Sequence, residues 1–237
     1  MLRVGITRDL SQLVDLKSQA VQRDVEIVPI PLQTIRPIAF EWPPALNGLA
    51  PDWAVFTSAH GVESFFRRLS DLGRPLSFSS KIAAVGTKTA MALAQFGRFA
   101  TLVPDEAYGE QLFTLLVAEH VSAGNRVLYA RGAEINFDPA PMLAAKQVEY
   151  YPLICYRTEP SPVSKRAVGS FGPTDYILFT APSTVRAWHE QFGEPRCRAI
   201  AIGRTTEREM TLLGWPRIST MPVPDVNTIL EYITWNS

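Results

Sequence analysis

The 237-residue sequence predicts an α/β fold: two lobes of parallel sheet flanked by helices, related by an internal repeat and joined by a two-stranded linker. Three observations predict it. The chain matches itself at a constant offset. Short apolar strands alternate with amphipathic helical patterns. Two Pro-bounded extended segments occupy equivalent places in the two copies.

The repeat comes first. "VGITR" (4–8) matches "VLYAR" (127–131), "VPIPLQTIRP" (28–37) matches "YPLICYRTEP" (151–160), and "FTSAHGV" (56–62) matches "FTAPSTV" (179–185), all three 123 residues apart. "AAVGTKTAMALAQFG" (83–97) matches "AIAIGRTTEREMTLLG" (199–214), with glycines 117 residues apart. "LVPDEAYGEQL" (102–112) is similar to "PVPDVNTILEYI" (222–233). Each match is short. Five in the same order mark two copies of one α/β unit, about 1–123 and 124–237.

Within each copy, "VGIT", "WAVFT" and "IAAVG", then "RVLYA", "YILFT" and "AIAIG", are near-continuous apolar runs. That is the pattern of parallel strands covered on both faces. Val62, Phe65, Phe66 and Leu69 fall at i, i+3, i+4 and i+7 of a helix, and Val185, Trp188 and Phe192 repeat that face. Strands alternating with helices predict a doubly wound sheet. Prolines bias "PLQTIRP" and "PLICYRTEP" to extended backbone, so the segments near 28–37 and 151–160 are expected to be linker strands. A chain that crosses at both makes one lobe discontinuous, residues 1–34 with 159–237, and leaves 37–152 as the other.

Composition narrows the function. Lys plus Arg and Asp plus Glu both number 23, so the net charge is zero and a bulk electrostatic nucleic-acid binder is excluded. Cys155 and Cys197 lie in no CxxC or Cys/His pattern, and His60, His120 and His189 are isolated. Buried, reduced thiols are expected and a zinc site is not. "MLRVGITRDL" reads as a strand rather than a signal peptide, and no apolar run has the length of a membrane span. A cytoplasmic protein without a membrane partner is the expectation.

The strand ends carry the candidate chemistry. Ligands of open parallel sheets bind beyond the carboxyl ends of the strands. Here those ends are Thr7-Arg8, Thr57-Ser58, Gly86 with Thr89, Arg131-Gly132, Thr180 with Ser183 and Thr184, and Gly203 with Thr206. A strand turning into a helix leaves free N–H groups at a positive dipole end, which suits carboxylates or phosphates. Ordinary N-capping explains any single Ser or Thr as well. It explains the set less well, because both copies carry the same equipment. No turn fits GxGxxG or GxxxxGK[ST], so a nucleotide is not indicated.

Arg8 and Arg131 are either solvated arginines or carboxylate clamps. Tyr156 either packs the linker or faces a ligand, and a tyrosine hydroxyl keeps its proton at neutral pH and can donate it. His60, near a helix start, is better read as a cap or surface residue than as a catalyst. There is no Ser/His/Asp motif, no metal spacing and no carboxylate dyad. Chemistry here must rest on positioning and pre-organised donors.

With these residues in place, "VFTSAHGVESFF", "AAVGTKTAMAL", "VLYARG", "CYRTEP", "LFTAPSTVRAW" and "AIGRTTEREM" resemble uroporphyrinogen-III synthases. The blocks come in family order and span nearly the whole chain. The resemblance implies two α/β lobes with the site in the cleft between them, one lobe made of both chain ends. It implies a substrate, hydroxymethylbilane, a linear tetrapyrrole with eight carboxylate groups. It also implies cyclisation with inversion of ring D and loss of water, without cofactor or metal.

Carried over residue by residue, Tyr156 in "CYRT" is the catalytic residue, assisting departure of the hydroxyl. Thr89 in "GTKTA" is a cleft threonine. Thr7, Arg8, Thr57, Ser58, Gly86, Arg131, Gly132, Thr180, Ser183, Thr184, Gly203 and Thr206 would bind substrate. Two departures stand out: His60 where the family often has Asn, and Ala181 where it often has Ser. A monomer acting on a small molecule is expected. The competing reading is a non-catalytic two-lobed binder of a small anion, since fold alone does not fix function.

Overall fold

The computed structural model describes residues 1–9, 13–46, 49–73, 79–164 and 168–235. The chain divides into two compact units, Met1–Thr34 with Glu159–Ser237, and Ile35–Thr158.

Unit one holds strands β1 (Leu2–Ile6), β2 (Val25–Pro29), β8 (Tyr176–Phe179), β9 (Arg198–Ala201) and β10 (Ile218–Thr220), in the order β10-β9-β8-β1-β2. All neighbours are parallel. Its helices are α1 (Val14–Val21), α6 (Pro182–Phe192), α7 (Arg204–Leu212) and α8 (Ile229–Trp235). Alternate residues of β8 serve opposite faces. Tyr176 and Leu178 join Leu16 of α1 and Ile229 and Ile233 of α8, whereas Ile177 and Phe179 join Val185 and Trp188 of α6 and Met210 of α7. With helices on both faces, every residue of β8 is buried, which is why "YILF" shows no polar alternation.

Unit two is built on the same plan. Strands β3 (Gln33–Pro37), β4 (Trp53–Phe56), β5 (Lys81–Ala84), β6 (Arg126–Gly132) and β7 (Glu149–Pro160) take the order β3-β7-β6-β4-β5. β5, β4, β6 and β7 run parallel. Helices α2 (Ala59–Asp71) and α3 (Thr87–Gln95) cover one face. There Val62, Phe65, Phe66, Leu69 and Leu93 pack on Ala54 and Phe56. Helices α4 (Gly109–Glu119) and α5 (Ala140–Ala145) cover the other, through Phe113, Leu116 and Leu143 on Trp53, Val55 and Tyr129. Burying one such Phe contributes roughly 1.5–3 kcal/mol, and Phe65 and Phe66 meet edge to face at 5.2 Å.

Both unit boundaries fall inside strands, at Thr34/Ile35 in β3 and Thr158/Glu159 in β7. One expectation needs correcting. Residues 151–160 lie within the single strand β7, but 28–37 is not one strand: β2 ends at Pro29 and β3 begins at Gln33. Pro31 has no N–H to place in a ladder. Its neighbours bond elsewhere, the Ile30 N–H to the Ile6 carbonyl at 2.8 Å and the Leu32 carbonyl accepting from Ser161 N–H at 2.9 Å.

Candidate active site

The carboxyl ends of β4, β6 and β7 surround a cavity of about 400 Å³ within unit two. Thr57, Tyr129, Gly132 and Tyr156 line it, with Tyr108 and Gly109 at the start of α4. Thr57 directly follows β4, Tyr129 and Gly132 belong to β6, and Tyr156 to β7. Parallel pairing brings these strand ends together; Gly132 stands opposite Tyr156, next to a register shift after Arg131.

Two hydroxyl pairs result. Tyr156 Oη lies 2.8 Å from Ser58 Oγ, and Tyr129 Oη lies 2.8 Å from Thr57 Oγ1. Ser58 is the N-cap of α2, in extended conformation, and accepts the Gly61 N–H at 2.9 Å. The equivalent turns at the starts of α3, α6 and α7 have no such bond. Burial pushes the Tyr129 hydroxyl up, while the Thr57 hydrogen bond opposes that shift. Tyr129 therefore keeps its proton in neutral solution.

The tyrosine at 156 depends on missing side chains. A Cβ on Gly132 would sit 3.0 Å from Tyr156 Cζ and 3.1 Å from its Oη. A Cβ on Gly61 would sit 3.2 Å from the Ala130 carbonyl oxygen and 3.7 Å from Tyr156 Cε1. The His60 ring meets Tyr156 edge-on, centroids 6.0 Å apart. The cavity wall carries the carboxylates of Glu110 and Glu134 and, among the described residues, no Lys or Arg. It suits a ring and its hydrogen-bonding groups better than carboxylate side groups.

The other expected residues fall into three sets. In unit one, Thr7, Thr180 and Thr184 bind one another. Thr7 Oγ1 accepts the Thr180 N–H at 3.0 Å and lies 3.2 Å from Thr184 Oγ1, whose proton goes to the Ala181 carbonyl at 2.7 Å. Thr180 Oγ1 donates to the Thr7 carbonyl at 3.1 Å. These hydroxyls stitch the end of β1 to the end of β8, and Thr7 and Thr184 are both buried.

The second set holds Gly86, Thr89, Ser183, Gly203 and Thr206, at the starts of α3, α6 and α7. None of these three helices has a side-chain cap bond, which leaves the first two N–H groups of α3 and α7 and, because Pro182 has no N–H, that of Ser183 alone in α6; the Thr89, Thr184 and Thr206 N–H groups bond the Gly86, Ala181 and Gly203 carbonyls. The threonine side chains do not share that availability: Thr89 is 3% and Thr206 1% exposed. Ser183 Oγ donates to Gln33 Oε1 at 3.1 Å.

The arginines form the third set and differ from each other. Arg131 Nη1 donates back to the carbonyls of Gly132 and Ala133, at 2.9 and 3.2 Å, and its Nε is buried without a partner. Arg8 is half-buried; burial lowers its pKa and nearby Asp225 opposes that.

Sequence reasoning missed Tyr129 and Gly61. Tyr129 stands where the repeat has Ile6, and a phenol replacing an aliphatic strand residue next to a strand end was the available signal. Among the described residues no cluster of three His, Cys, Asp or Glu side chains is placed to hold a metal. No described helix is long and apolar enough to cross a membrane. Cys155 and Cys197 are free and buried.

A family model described as "Uroporphyrinogen-III synthase HemD" matches residues 14–231. The porphyrin biosynthesis protein HemD of Ruminiclostridium josui is 30% identical over 192 residues, which cover 77% of this chain. This chain spans only 36% of that relative's length. Two crystal structures share the fold. The uroporphyrinogen-III synthetase of Helicobacter pylori has a TM-score of 0.64 and 20% identity over 100% of both chains. A mutant uroporphyrinogen III synthase of Thermus thermophilus has a TM-score of 0.63 and 19% identity, covering 99% of this chain and 98% of the other.

Proposed function

The chain belongs to the uroporphyrinogen-III synthase family, and from that premise we propose that it cyclises hydroxymethylbilane to uroporphyrinogen III with inversion of ring D. The reading is carried by one observation beyond family membership: the Tyr156 hydroxyl stands on the wall of an aromatic cavity, held by a fixed serine.

Tyr156 donates its proton as the C–O bond of the hydroxymethyl group breaks. The hydroxyl leaves as water, and the pyrrole nitrogen pair closes an azafulvenium cation. Ring D attacks that carbon through its substituted α-carbon, forming a spiro intermediate. Fragmentation and reclosure at the other α-carbon of ring D release one proton, which returns to the phenolate. The net change is loss of one water, with no net oxidation or reduction, so neither metal nor cofactor is required. A positioned proton donor contributes about 10²–10⁴-fold. The rest comes from orientation, because the isomer formed is decided by how the flexible chain is folded.

Carboxylate side groups are taken up at the uncapped start of α3 in unit two; within unit one the uncapped starts of α6 and α7 and the Arg8 guanidinium offer the same chemistry. Free N–H groups at a positive dipole end support this assignment. Residues of about 1–123 and 124–237 are two copies of one α/β unit, each copy giving strands to both compact units, with β3 and the outer part of β7 as linkers. The sheets of the two units support this: β9-β8-β1-β2 and β5-β4-β6-β7 have the same neighbour relations, while the chain order is permuted, since β1 and β2 precede β8 and β9 whereas β6 and β7 follow β4 and β5. The protein works as a cytoplasmic monomer on this small molecule, without nucleic acid or membrane.

The test is incubation with freshly generated hydroxymethylbilane, followed by separation of the isomers. Type III is expected. Spontaneous closure gives type I, and type I alone at high protein concentration would leave only an anion-binding role.

A further inference from the structure

We propose that Ser58 is a positioning residue that aims the Tyr156 hydroxyl and stabilises its phenolate, an inference that rests on the proton-donor role given to Tyr156 above. Sequence reasoning groups Ser58 with the substrate ligands. The geometry separates it from them. Tyr156 lines the cavity and Ser58 does not. Ser58 Oγ instead sits between the Gly61 N–H at 2.9 Å and Tyr156 Oη at 2.8 Å.

A hydroxyl has one proton and two lone pairs. One lone pair of Ser58 is taken by Gly61, which fixes the oxygen at the start of α2. Its own proton then has one described partner within hydrogen-bond distance, Tyr156 Oη. With the serine donating, the phenolic proton is left free for the departing hydroxyl. Once that proton has gone, the serine O–H meets a phenolate, and a hydrogen bond to an ionised oxygen is roughly twice as strong as one to a neutral oxygen. The interaction therefore strengthens along the reaction, which is the condition for raising kcat rather than lowering KM. The positive end of α2 lies behind the same oxygen and acts in the same sense. Gly61 and Gly132 admit the ring, and the Tyr156 carbonyl, accepting Ala133 N–H at 2.8 Å, anchors its backbone.

Four variants test this: S58A, S58T, S58D and the double variant S58A/Y156F, compared with wild type and Y156F for kcat, KM and isomer ratio. S58A should lower kcat about 10–100-fold with KM within about 3-fold of wild type. S58T keeps the hydroxyl and should recover most of the rate. Asp caps a helix as well as Ser does but has no proton to give when ionised. S58D should therefore melt close to wild type and yet be slow. With Phe at 156, S58A should cost no more than about 2-fold further. An S58D enzyme as fast as wild type, or equal losses from S58A with and without the Tyr156 hydroxyl, would reduce Ser58 to a helix cap. Absence of type III product from wild type would instead remove the cyclase reading itself, so the two failures are told apart.

Discussion

Gly132→Ala puts one methyl group where the structure has no room for it. The new Cβ would stand 3.0 Å from Tyr156 Cζ, 3.1 Å from Oη and 3.2 Å from Cε2. Comfortable carbon contacts begin near 3.5 Å, so the ring must retreat by roughly 0.5–1 Å. The same movement disturbs the contact of Oη with Ser58 Oγ, now 2.8 Å, whose strength depends steeply on distance and angle. The folded state loses about 1–3 kcal/mol to overpacking, and about 1 kcal/mol more if the hydrogen bond breaks. Displacing a reacting group by about 1 Å costs on the order of 10²-fold in rate. The assay is kcat on hydroxymethylbilane with isomer separation, alongside urea denaturation to show that the variant is folded. Gly169→Ala is the control, because no atom lies within 4 Å of a Cβ built there. A folded Gly132→Ala enzyme with kcat within about 3-fold of wild type would refute the argument that Tyr156 must stand where it does.

Other consequences can be measured directly. Thr7→Val leaves the Thr180 N–H, now donating to Thr7 Oγ1 at 3.0 Å, without its acceptor, and should lower the urea-derived stability by about 1–3 kcal/mol. Phe65→Ala, at a fully buried position in contact with Phe40, Phe56 and Phe66, should cost about 3–5 kcal/mol by the same measurement. Burial pushes the Cys155 and Cys197 thiols up from 9.0 to about 12. Over that window the unfolded chain releases protons that the native state keeps. Stability from this source is complete below about pH 9 and falls as pH rises toward 12. Urea midpoints should therefore drop between about pH 8.5 and about 10.5, and less steeply in Cys155→Val; an identical slope in the variant would show that this thiol does not contribute.

Much of the frame was legible because the signals are local. "WAVF" and "YILF" announce buried parallel strands by being apolar throughout, and each is buried at every position. The helix at 59–71 was legible from one stripe, Val62, Phe65, Phe66 and Leu69, all of which are buried. Tyr156 entered as a candidate catalyst through the family resemblance, since the residues alone left it between linker packing and a ligand contact. The site partners were less legible. Ser58 and Tyr156 are 98 residues apart, Thr57 and Tyr129 are 72 apart, and Thr7 and Thr184 are 177 apart. Those pairs depend on the register of parallel strands joined by helical crossovers, and a shift of one residue turns each side chain to the other face. The break between β2 and β3 was missed for a related reason: Pro-rich extended backbone looks alike in one strand or in two until hydrogen-bond partners are known.

By itself the sequence determined the central buried strands, the helical face at 62–69 and its repeat at 185–192, the α/β character, and which turns have hydroxyls and glycines. Those properties follow from hydrophobic period and local backbone preference, which act over a few residues. Only the tertiary structure decided what each hydroxyl does. It tied Thr7, Thr180 and Thr184 to one another, buried Thr89 and Thr206, turned Arg131 back on its own backbone, and set Ser58 within hydrogen-bond distance of Tyr156. The physical reason is that a hydroxyl has one proton and no preferred partner of its own. Which atom receives that proton is set by whatever the packing of distant strands brings within about 3 Å.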